Sequence, residues 1–196
     1  MTTKQDLLEC SISNFTKFGS KRFTMDELAT TLGISKKTIY KFYSSKEDLV
    51  IASVKYLIDD YNQVVDEIIS QCPDPLFCIL KIYEKGFERL SYFKPSFIFG
   101  LKKYYPLANK LFDEFRHRFV REKVYSLLVK AQEQGLLVDE VNLNLFCDLY
   151  FNRIEEIAFL HDNLFQRYSS QELLDHFIVY SLRGITKTTY VFPKLK

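Results

Sequence analysis

Apolar residues recur every three or four positions along most of this chain, which is the spacing of one face of an α-helix. The stripe that predicts the first helix, over about 5–18, consists of Leu8, Ile12, Phe15 and Phe18. The stripe of the second helix, which ends at Gly33, consists of Met25, Leu28, Ala29 and Leu32. Because no stretch shows a convincing strand pattern, the sequence predicts an all-α protein.

Proline, glycine and capping residues divide the remaining sequence into further helices. The expected helices span about 36–42, 46–70, 75–94, 96–103, 106–134, 142–162 and 170–188. Asp74 can cap the helix that starts at Pro75, and Asn142 and Ser170 can cap the last two. About nine helices therefore form two domains, an N-terminal domain over residues 1–48 and a C-terminal helical domain over residues 49–196.

Two short helices separated by a tight turn follow the first helix. Thr24 precedes Glu27 by three residues, which is the pattern of a capping box. Gly33 can end one helix in the left-handed conformation, and Ser35 is a suitable N-cap for the next. This arrangement is a helix-turn-helix, which places its last helix in the major groove of DNA.

The outer face of the third helix carries the chemistry of a DNA contact. With Ile39 and Tyr43 turned towards the core, the residues on or near that face are Lys36, Lys37, Thr38, Tyr40 and Lys41. Lysine donates to guanine edges or phosphates, and hydroxyl groups suit phosphates, which fix register without reading sequence. The helix that starts at Lys46 also offers free backbone N–H groups to a phosphate.

Positive charge is concentrated around this segment. Residues 17–46 contain seven basic and two acidic side chains, a local net charge of +5, whereas the 196-residue chain carries only +2. A basic patch on a nearly neutral protein favours a nucleic-acid partner. The alternative is that the lysines form a solvated face on an ordinary three-helix core.

The same residues resemble the DNA-binding domain of the TetR family of bacterial transcriptional regulators. The family pattern has an A-x-x-x-G-h-S turn, a T-h-Y-x-h-F/Y segment and then K-x-x-L. The matching residues are Ala29, Gly33, Ile34, Ser35, Thr38, Ile39, Tyr40, Phe42, Tyr43, Lys46 and Leu49. The match covers about 5–54, and it departs from the family at Lys37, where glycine is frequent, and at Phe42, where histidine or tyrosine is common.

The resemblance implies a cytoplasmic, nucleoid-associated homodimer that binds palindromic operator DNA and represses transcription until a small effector releases it. By this resemblance, the residues that approach bases or nearby phosphates are Lys36, Lys37, Thr38 and Lys41. The residues that hold the DNA backbone are Thr24, Ser35, Tyr40 and Lys46. The alternatives are an activator of the same fold, and a ligand- or partner-binding module whose DNA contacts are vestigial.

Aromatic residues are dense between residues 77 and 119. Large rings fill helical cores well, but rings with a few polar tips also line pockets for apolar or aromatic ligands. The resemblance implies an effector pocket here, with the candidates Tyr83, Phe87, Phe97, Tyr104, Phe112 and Phe115. Arg116 and His117 are candidates to meet an anionic group on the ligand.

The last two predicted helices carry apolar stripes that look self-complementary. In the TetR family, two such helices from each subunit form a four-helix dimer interface, and the two-fold axis matches a palindromic operator. The predicted interface residues are Phe146, Tyr150, Ile157, Phe177, Ile178, Leu182 and Ile185. The alternative is that both stripes pack only within the subunit.

Other chemistry has little support in this sequence. The cysteines, which we expect to be free thiols unless Cys72 and Cys78 form a redox pair, are Cys10, Cys72, Cys78 and Cys147. The three histidines lack metal-binding spacing, and there is no phosphate-binding glycine loop or nucleophile elbow. We therefore expect no metal, no cofactor and no enzyme activity. No apolar run approaches the ~18 residues of a membrane span, so no membrane partner is expected either.

Overall fold

A computed structural model of the chain describes residues 3–19, 23–93, 95–152, 154 and 164–192. Over these residues the regular structure is helical, and the strand-like pairing is an isolated antiparallel bridge between Leu137 and Thr186. The predicted all-α fold class is confirmed. None of the helices in the described part of the chain is both long and apolar enough to cross a membrane.

The helices follow the predicted order closely. The first four are α1 (Lys4–Phe18), α2 (Met25–Leu32), α3 (Lys36–Tyr40) and α4 (Lys46–Gln71). The next four are α5 (Pro75–Ser91), α6 (Pro95–Tyr104), α7 (Pro106–Phe119) and α8 (Tyr125–Glu133), with a π-helical turn (Val120–Val124) between the last two. The remainder are α9 (Leu143–Tyr150), α10 (Leu164–Arg167), α11 (Ser170–Leu174) and α12 (Tyr180–Arg183), with a second π-helical turn (Asp175–Val179) between the last two.

The last helical segment differs from its prediction at both ends. Its N-cap is Ser169 rather than Ser170, because the Ser169 hydroxyl accepts the Glu172 N–H at 3.2 Å and the Glu172 carboxylate accepts the Ser169 N–H at 2.9 Å. It ends at Arg183 rather than near residue 188. There the backbone turns to pair with the segment after α8, and the Lys187 N–H donates to the Leu136 carbonyl at 2.9 Å.

The described helices group into two compact units. The first comprises residues 1–60 and 92–114, and the second comprises residues 61–91 and 115–196. This division does not fall after residue 48, because α4 continues through that point and because α6 packs against α1. The predicted domain boundary, as a statement about function, stays a prediction.

The first unit is built on a small apolar core beneath its short helices. The rings of Phe15 and Phe23 meet edge to face, with centroids 5.2 Å apart, and Leu28 and Leu49 are fully buried. Phe18, however, is 57% exposed, so the prediction that it continues the buried stripe of α1 is wrong. It is the last residue of α1, beyond the helical turns that carry the buried side chains.

The second unit is packed around aromatic rings on α5. Phe87 makes edge-to-face contacts with Phe165 and Phe177, at centroid distances of 5.7 and 6.1 Å. Tyr83, one turn earlier, stacks on Phe151 at 5.2 Å. Rings from four separate segments therefore share one core. At these positions the rings fill a helical core, which was one of the two interpretations of the aromatic residues in the sequence.

The start of α5 is tied to the end of the described chain. As predicted, Asp74 caps α5, since its Oδ1 accepts the N–H groups of Leu76 and Phe77 at 2.9 and 3.1 Å. Its other carboxylate oxygen accepts a 2.6 Å hydrogen bond from the hydroxyl of Tyr190. One aspartate thus closes a helix end and fastens a distant segment.

Candidate nucleic-acid interface

The turn between α2 and α3 is set by short-range hydrogen bonds at its two ends. The Thr24 hydroxyl accepts the Glu27 N–H at 3.1 Å, and the Glu27 carboxylate accepts the Thr24 N–H at 2.7 Å, so the predicted capping box is confirmed. Gly33 adopts the left-handed conformation with φ 62° and ψ 30°. Because that conformation suits glycine, α2 stops there and the chain turns sharply into α3.

The orientation of α3 follows from its cap and its one buried anchor. The Ser35 hydroxyl accepts the Thr38 N–H at 3.1 Å, which confirms Ser35 as the N-cap. Ile39 is fully buried, and Tyr43, just beyond the helix, is buried too. Because an α-helix has 3.6 residues per turn, the burial of Ile39 on one face directs its neighbours towards the opposite, outer face. Of the residues of α3 and its end that were predicted to face DNA, the structure leaves Thr38 partly buried and the others exposed, namely Lys36, Lys37, Tyr40 and Lys41.

The exposed lysines are not electrostatically equivalent. Lys36 Nζ lies 2.9 Å from the Asp26 carboxylate, and this hydrogen bond raises the pKa of Lys36. Lys37 and Lys41 are exposed on the same short segment and add two positive charges next to that pair. An exposed ion pair of this kind adds little stability and is easily exchanged for a phosphate. Contact of these side chains with DNA stays a prediction.

Lys46, the first residue of α4, has different surroundings. The helix is capped by Ser45, whose hydroxyl accepts the Asp48 N–H at 3.0 Å. The Lys46 side chain is partly buried, and its ammonium lies 5.9 Å from the ring centroid of Tyr105. Burial lowers the pKa of Lys46, while the negative charge of Glu27 opposes that shift. Sequence analysis did not associate Tyr105 with this surface, because no local signal links residues so far apart in the chain.

The six candidate pocket residues do not belong to one unit. Those in the second unit are Tyr83, Phe87 and Phe115, and those in the first are Phe97, Tyr104 and Phe112. Within the second unit the rings pack on protein neighbours, as when Phe115 meets Tyr61 edge to face at 6.3 Å. Arg116 is partly buried and His117 is exposed. A ligand-binding role for any of these side chains stays a prediction.

Several residues of the predicted dimer interface pack within the subunit. The residues already buried inside the subunit core are Phe146, Ile178, Leu182 and Ile185. For these four the packing fits the within-subunit alternative, and a role in a dimer interface stays a prediction. Phe177 is partly buried against Phe87, whereas Tyr150 is exposed. Ile157 lies outside the described residues.

Exposed apolar side chains do occur on the same helices, one or two positions away from the predicted ones. Leu145 and Leu149 of α9 are 55% and 58% exposed, and Tyr180 of α12 is 51% exposed. Leu145 and Leu149 are four residues apart and therefore share a helix face. The sequence stripe ran along the buried side of each helix, so the exposed side was missed.

A capped helix-turn-helix with a basic outer face, followed by helices, defines the class of DNA-binding transcriptional regulators. Residues 4–53 match the family model described as bacterial regulatory proteins, tetR family. The HTH-type transcriptional regulator YvaF of Bacillus subtilis (strain 168) is 29% identical over 173 residues, which cover 84% of this chain and 86% of that protein. YhgD of the same organism, also an HTH-type transcriptional regulator, is 38% identical over 64 residues, which cover 33% of this chain and 34% of that protein.

Solved structures share the fold across nearly the whole chain. The transcriptional regulator FadR from Bacillus subtilis, in complex with stearoyl-CoA, matches with a TM-score of 0.74 at 16% identity, covering 93% of this chain and 100% of that chain. The ketosteroid transcriptional regulator KstR2 of Mycobacterium tuberculosis matches with a TM-score of 0.68 at 16% identity, covering 95% and 96%. These matches support a regulator of the TetR family, with the family-model match lying at residues 4–53. The matched family and the similar proteins are transcriptional regulators, not enzymes.

Proposed function

We propose that this protein binds a palindromic operator as a homodimer and represses transcription until a small apolar or aromatic effector releases it. The observation that carries the DNA contact is the burial of Ile39, which leaves Lys36, Lys37, Tyr40 and Lys41 on the open side of α3. In this arrangement α3 enters the major groove, Lys37 and Lys41 reach base edges or phosphates, and the Ser35 cap holds the helix start in register. The protein then acts in the cytoplasm, at the nucleoid.

The DNA contact is tested by footprinting the purified protein across its own source genome at near-physiological salt. A palindromic site upstream of its own or a neighbouring gene is the expected result. On that site, Lys37→Ala and Lys41→Ala should each weaken binding and flatten the salt dependence by about one unit per lost phosphate contact. Lys55→Ala, which removes an exposed lysine from α4, is the matched control and should leave the slope unchanged. No site at any salt would favour the alternative of a ligand- or partner-binding module.

The homodimer is proposed to form through exposed apolar residues of α9 and α12. Leu145 and Leu149 form a continuous apolar face on α9, and Tyr180 is the large exposed side chain of α12. Leu149→Arg should give a monomer by sedimentation velocity and should lose affinity for the palindrome, because each half-site then binds alone. Leu107→Arg changes an equally exposed leucine of the first unit and should stay dimeric. An unchanged mass for Leu149→Arg would count against this face.

The effector is proposed to bind the aromatic second unit and to shift a pre-existing equilibrium of the dimer. The FadR structure contains stearoyl-CoA, and this chain brings Tyr83, Phe87 and Phe115 into the core of its second unit. A long-chain acyl-CoA, a steroid and an aromatic drug are suitable first probes. An effector should reduce DNA affinity in proportion to its occupancy. If ligands bind but leave DNA affinity unchanged, the proposed release by an effector is wrong. A ligand that raises DNA affinity would favour effector-dependent DNA binding or an activator.

A further inference from the structure

Lys46 has a partly buried side chain, in contrast to the exposed lysines of α3. Its aliphatic stem is partly buried, and its ammonium sits 5.9 Å from the centre of the Tyr105 ring, within the range of a cation–π contact. A lysine in open water samples many rotamers, and a contact with DNA must then order it. Lys46 is partly ordered before any DNA arrives.

Tyr105 is itself held by the backbone on both sides. Its N–H donates to the Leu101 carbonyl at 3.0 Å, and its own carbonyl accepts the Asn109 N–H at 2.9 Å. Leu101 and Ala108, on either side of it, are buried. Tyr105 therefore joins the end of α6 to the start of α7. These hydrogen bonds hold its backbone in place, and its ring lies near Lys46 of α4.

The carboxylates of Glu27 and Glu47 act electrostatically on Lys46 and Tyr105. The negative charge of Glu27 acts on Lys46, and the negative charge of Glu47 acts on Tyr105 and raises the pKa of its phenol, after burial as the larger cause. Both charges favour a cation in this part of the surface. The ring of Tyr105 is the aromatic contact of the Lys46 ammonium, at 5.9 Å from the ring centroid.

We propose that Tyr105 is a positioning residue for DNA binding, whose ring presents the Lys46 ammonium to a backbone phosphate at the start of α4. This inference rests on the proposed DNA-binding function. In this proposal the junction of α6 and α7 affects DNA binding through Lys46 and not through a DNA contact of its own. A displacement of that junction would withdraw the ring from Lys46 and reduce affinity without altering α3.

The test is a double-mutant cycle with Lys46→Ala, Tyr105→Leu and the combined variant. The probe is a labelled random-sequence DNA duplex at low salt, because a phosphate contact does not depend on the operator. Tyr105→Leu should weaken binding about two- to fivefold, the range of a partly exposed cation–π contact. Tyr105→Phe keeps the ring and should bind like the wild type. In the Lys46→Ala background, Tyr105→Leu should have no further effect.

Phe99→Leu is the matched control, because Phe99 is an exposed ring of α6 with Lys103 over it at 5.7 Å. It should leave affinity unchanged. Thermal melting checks each fold, and Tyr105→Met replaces Tyr105→Leu if the latter melts early. Unchanged or tighter binding by Tyr105→Leu, or independent losses that multiply in the combined variant, would overturn the inference while DNA binding stands. A wild-type protein that binds no duplex at low salt would instead overturn the proposed function.

Discussion

The two compact units of this protein are specified by interactions of very different range. In the first unit, the helix-turn-helix is defined by contacts between residues three to five apart, as in the Thr24–Glu27 box and the Gly33 turn. In the second, Phe87 meets Phe165 and Phe177 across long stretches of chain. The unit that we propose to contact DNA can therefore be recognised from a short segment, whereas the unit that we propose to bind the effector depends on contacts across the sequence.

The largest expected effect comes from breaking the aromatic core of the second unit. Phe87→Ala removes a ring that is buried and contacts three other rings, so it should lower the free energy of unfolding by about 3–5 kcal/mol. Chemical denaturation measures this loss. Tyr168→Ala, at an exposed ring of the same unit, should cost less than about 1 kcal/mol. Equal losses for the two variants would show that the rings do not form the core described.

A smaller effect separates two glycines of the first unit. Gly19 has φ +82°, and an added Cβ would lie 2.7 Å from Ser96 Oγ and 3.1 Å from the Ser96 carbonyl oxygen. Gly33 has φ +62°, with no neighbouring heavy atom within 4 Å of its added Cβ. Gly33→Ala should therefore cost about 1 kcal/mol for the left-handed backbone alone, and Gly19→Ala should cost more, about 2–3 kcal/mol.

Thermal melting of the two glycine variants checks both values. The α1–α6 packing is the feature at stake, since Ser96 belongs to α6 and Gly19 follows α1 directly. If Gly19→Ala were no more destabilising than Gly33→Ala, the close approach of these two helices would be contradicted.

The next prediction tests whether the capping box of the first unit, which could be recognised in the sequence, also stabilises the fold. Thr24→Ala removes the hydroxyl that accepts the Glu27 N–H, and it should lower the free energy of unfolding by about 1 kcal/mol. Thr24→Ser keeps a capping hydroxyl and is the matched control. Denaturation of both variants measures the difference, and identical midpoints would mean that the box is dispensable.

The smallest effect is a pH dependence shared by the two units. The hydrogen bonds of Thr3 lower the pKa of Asp6, and those of Ser169 lower the pKa of Glu172. A carboxyl group whose pKa is lower in the folded protein stabilises it above its ordinary pKa, and that contribution is lost as the pH falls through the folded value. Both groups are exposed, so the effect on stability is slight.

Side-chain NMR titration reads this effect directly. Ser169→Ala keeps the backbone N–H, which is the larger cause of the shift, and removes the hydroxyl, so it should raise the pKa of Glu172 part of the way towards its ordinary value of 4.5 and leave that of Asp6 unchanged. A Glu172 titration that ignores this substitution would contradict the box. The result would also show that the second unit, whose core depends on distant contacts, contains a locally specified capping box.

Sequence analysis succeeded where cause and effect are close in the chain. The caps at Thr24, Ser35 and Asp74 were predicted because each needs only the following two or three residues. It could not decide where a periodic stripe has two possible partners. Leu182 lies on an apolar stripe whether that stripe faces its own subunit or another, and only the assembled core shows that it is buried.

The contact between Tyr105 and Lys46 was also beyond local reasoning. Each residue has an ordinary local role, one at the junction of two helices and the other at a helix start. Their proximity arises because α6 and the start of α7 belong to the first unit. A stripe or a cap describes one helix, whereas this pair requires the positions of two.

The hydrogen bond between Tyr190 and Asp74 has a consequence for the synthesis of the protein. It joins positions 116 residues apart, so the second unit is incomplete until almost the whole chain has been made. The last residue of the first unit is residue 114. At about 5–20 residues per second, its last residue is made roughly 4–15 seconds before Tyr190. The surface that we assign to DNA is therefore translated before the region that we assign to its control.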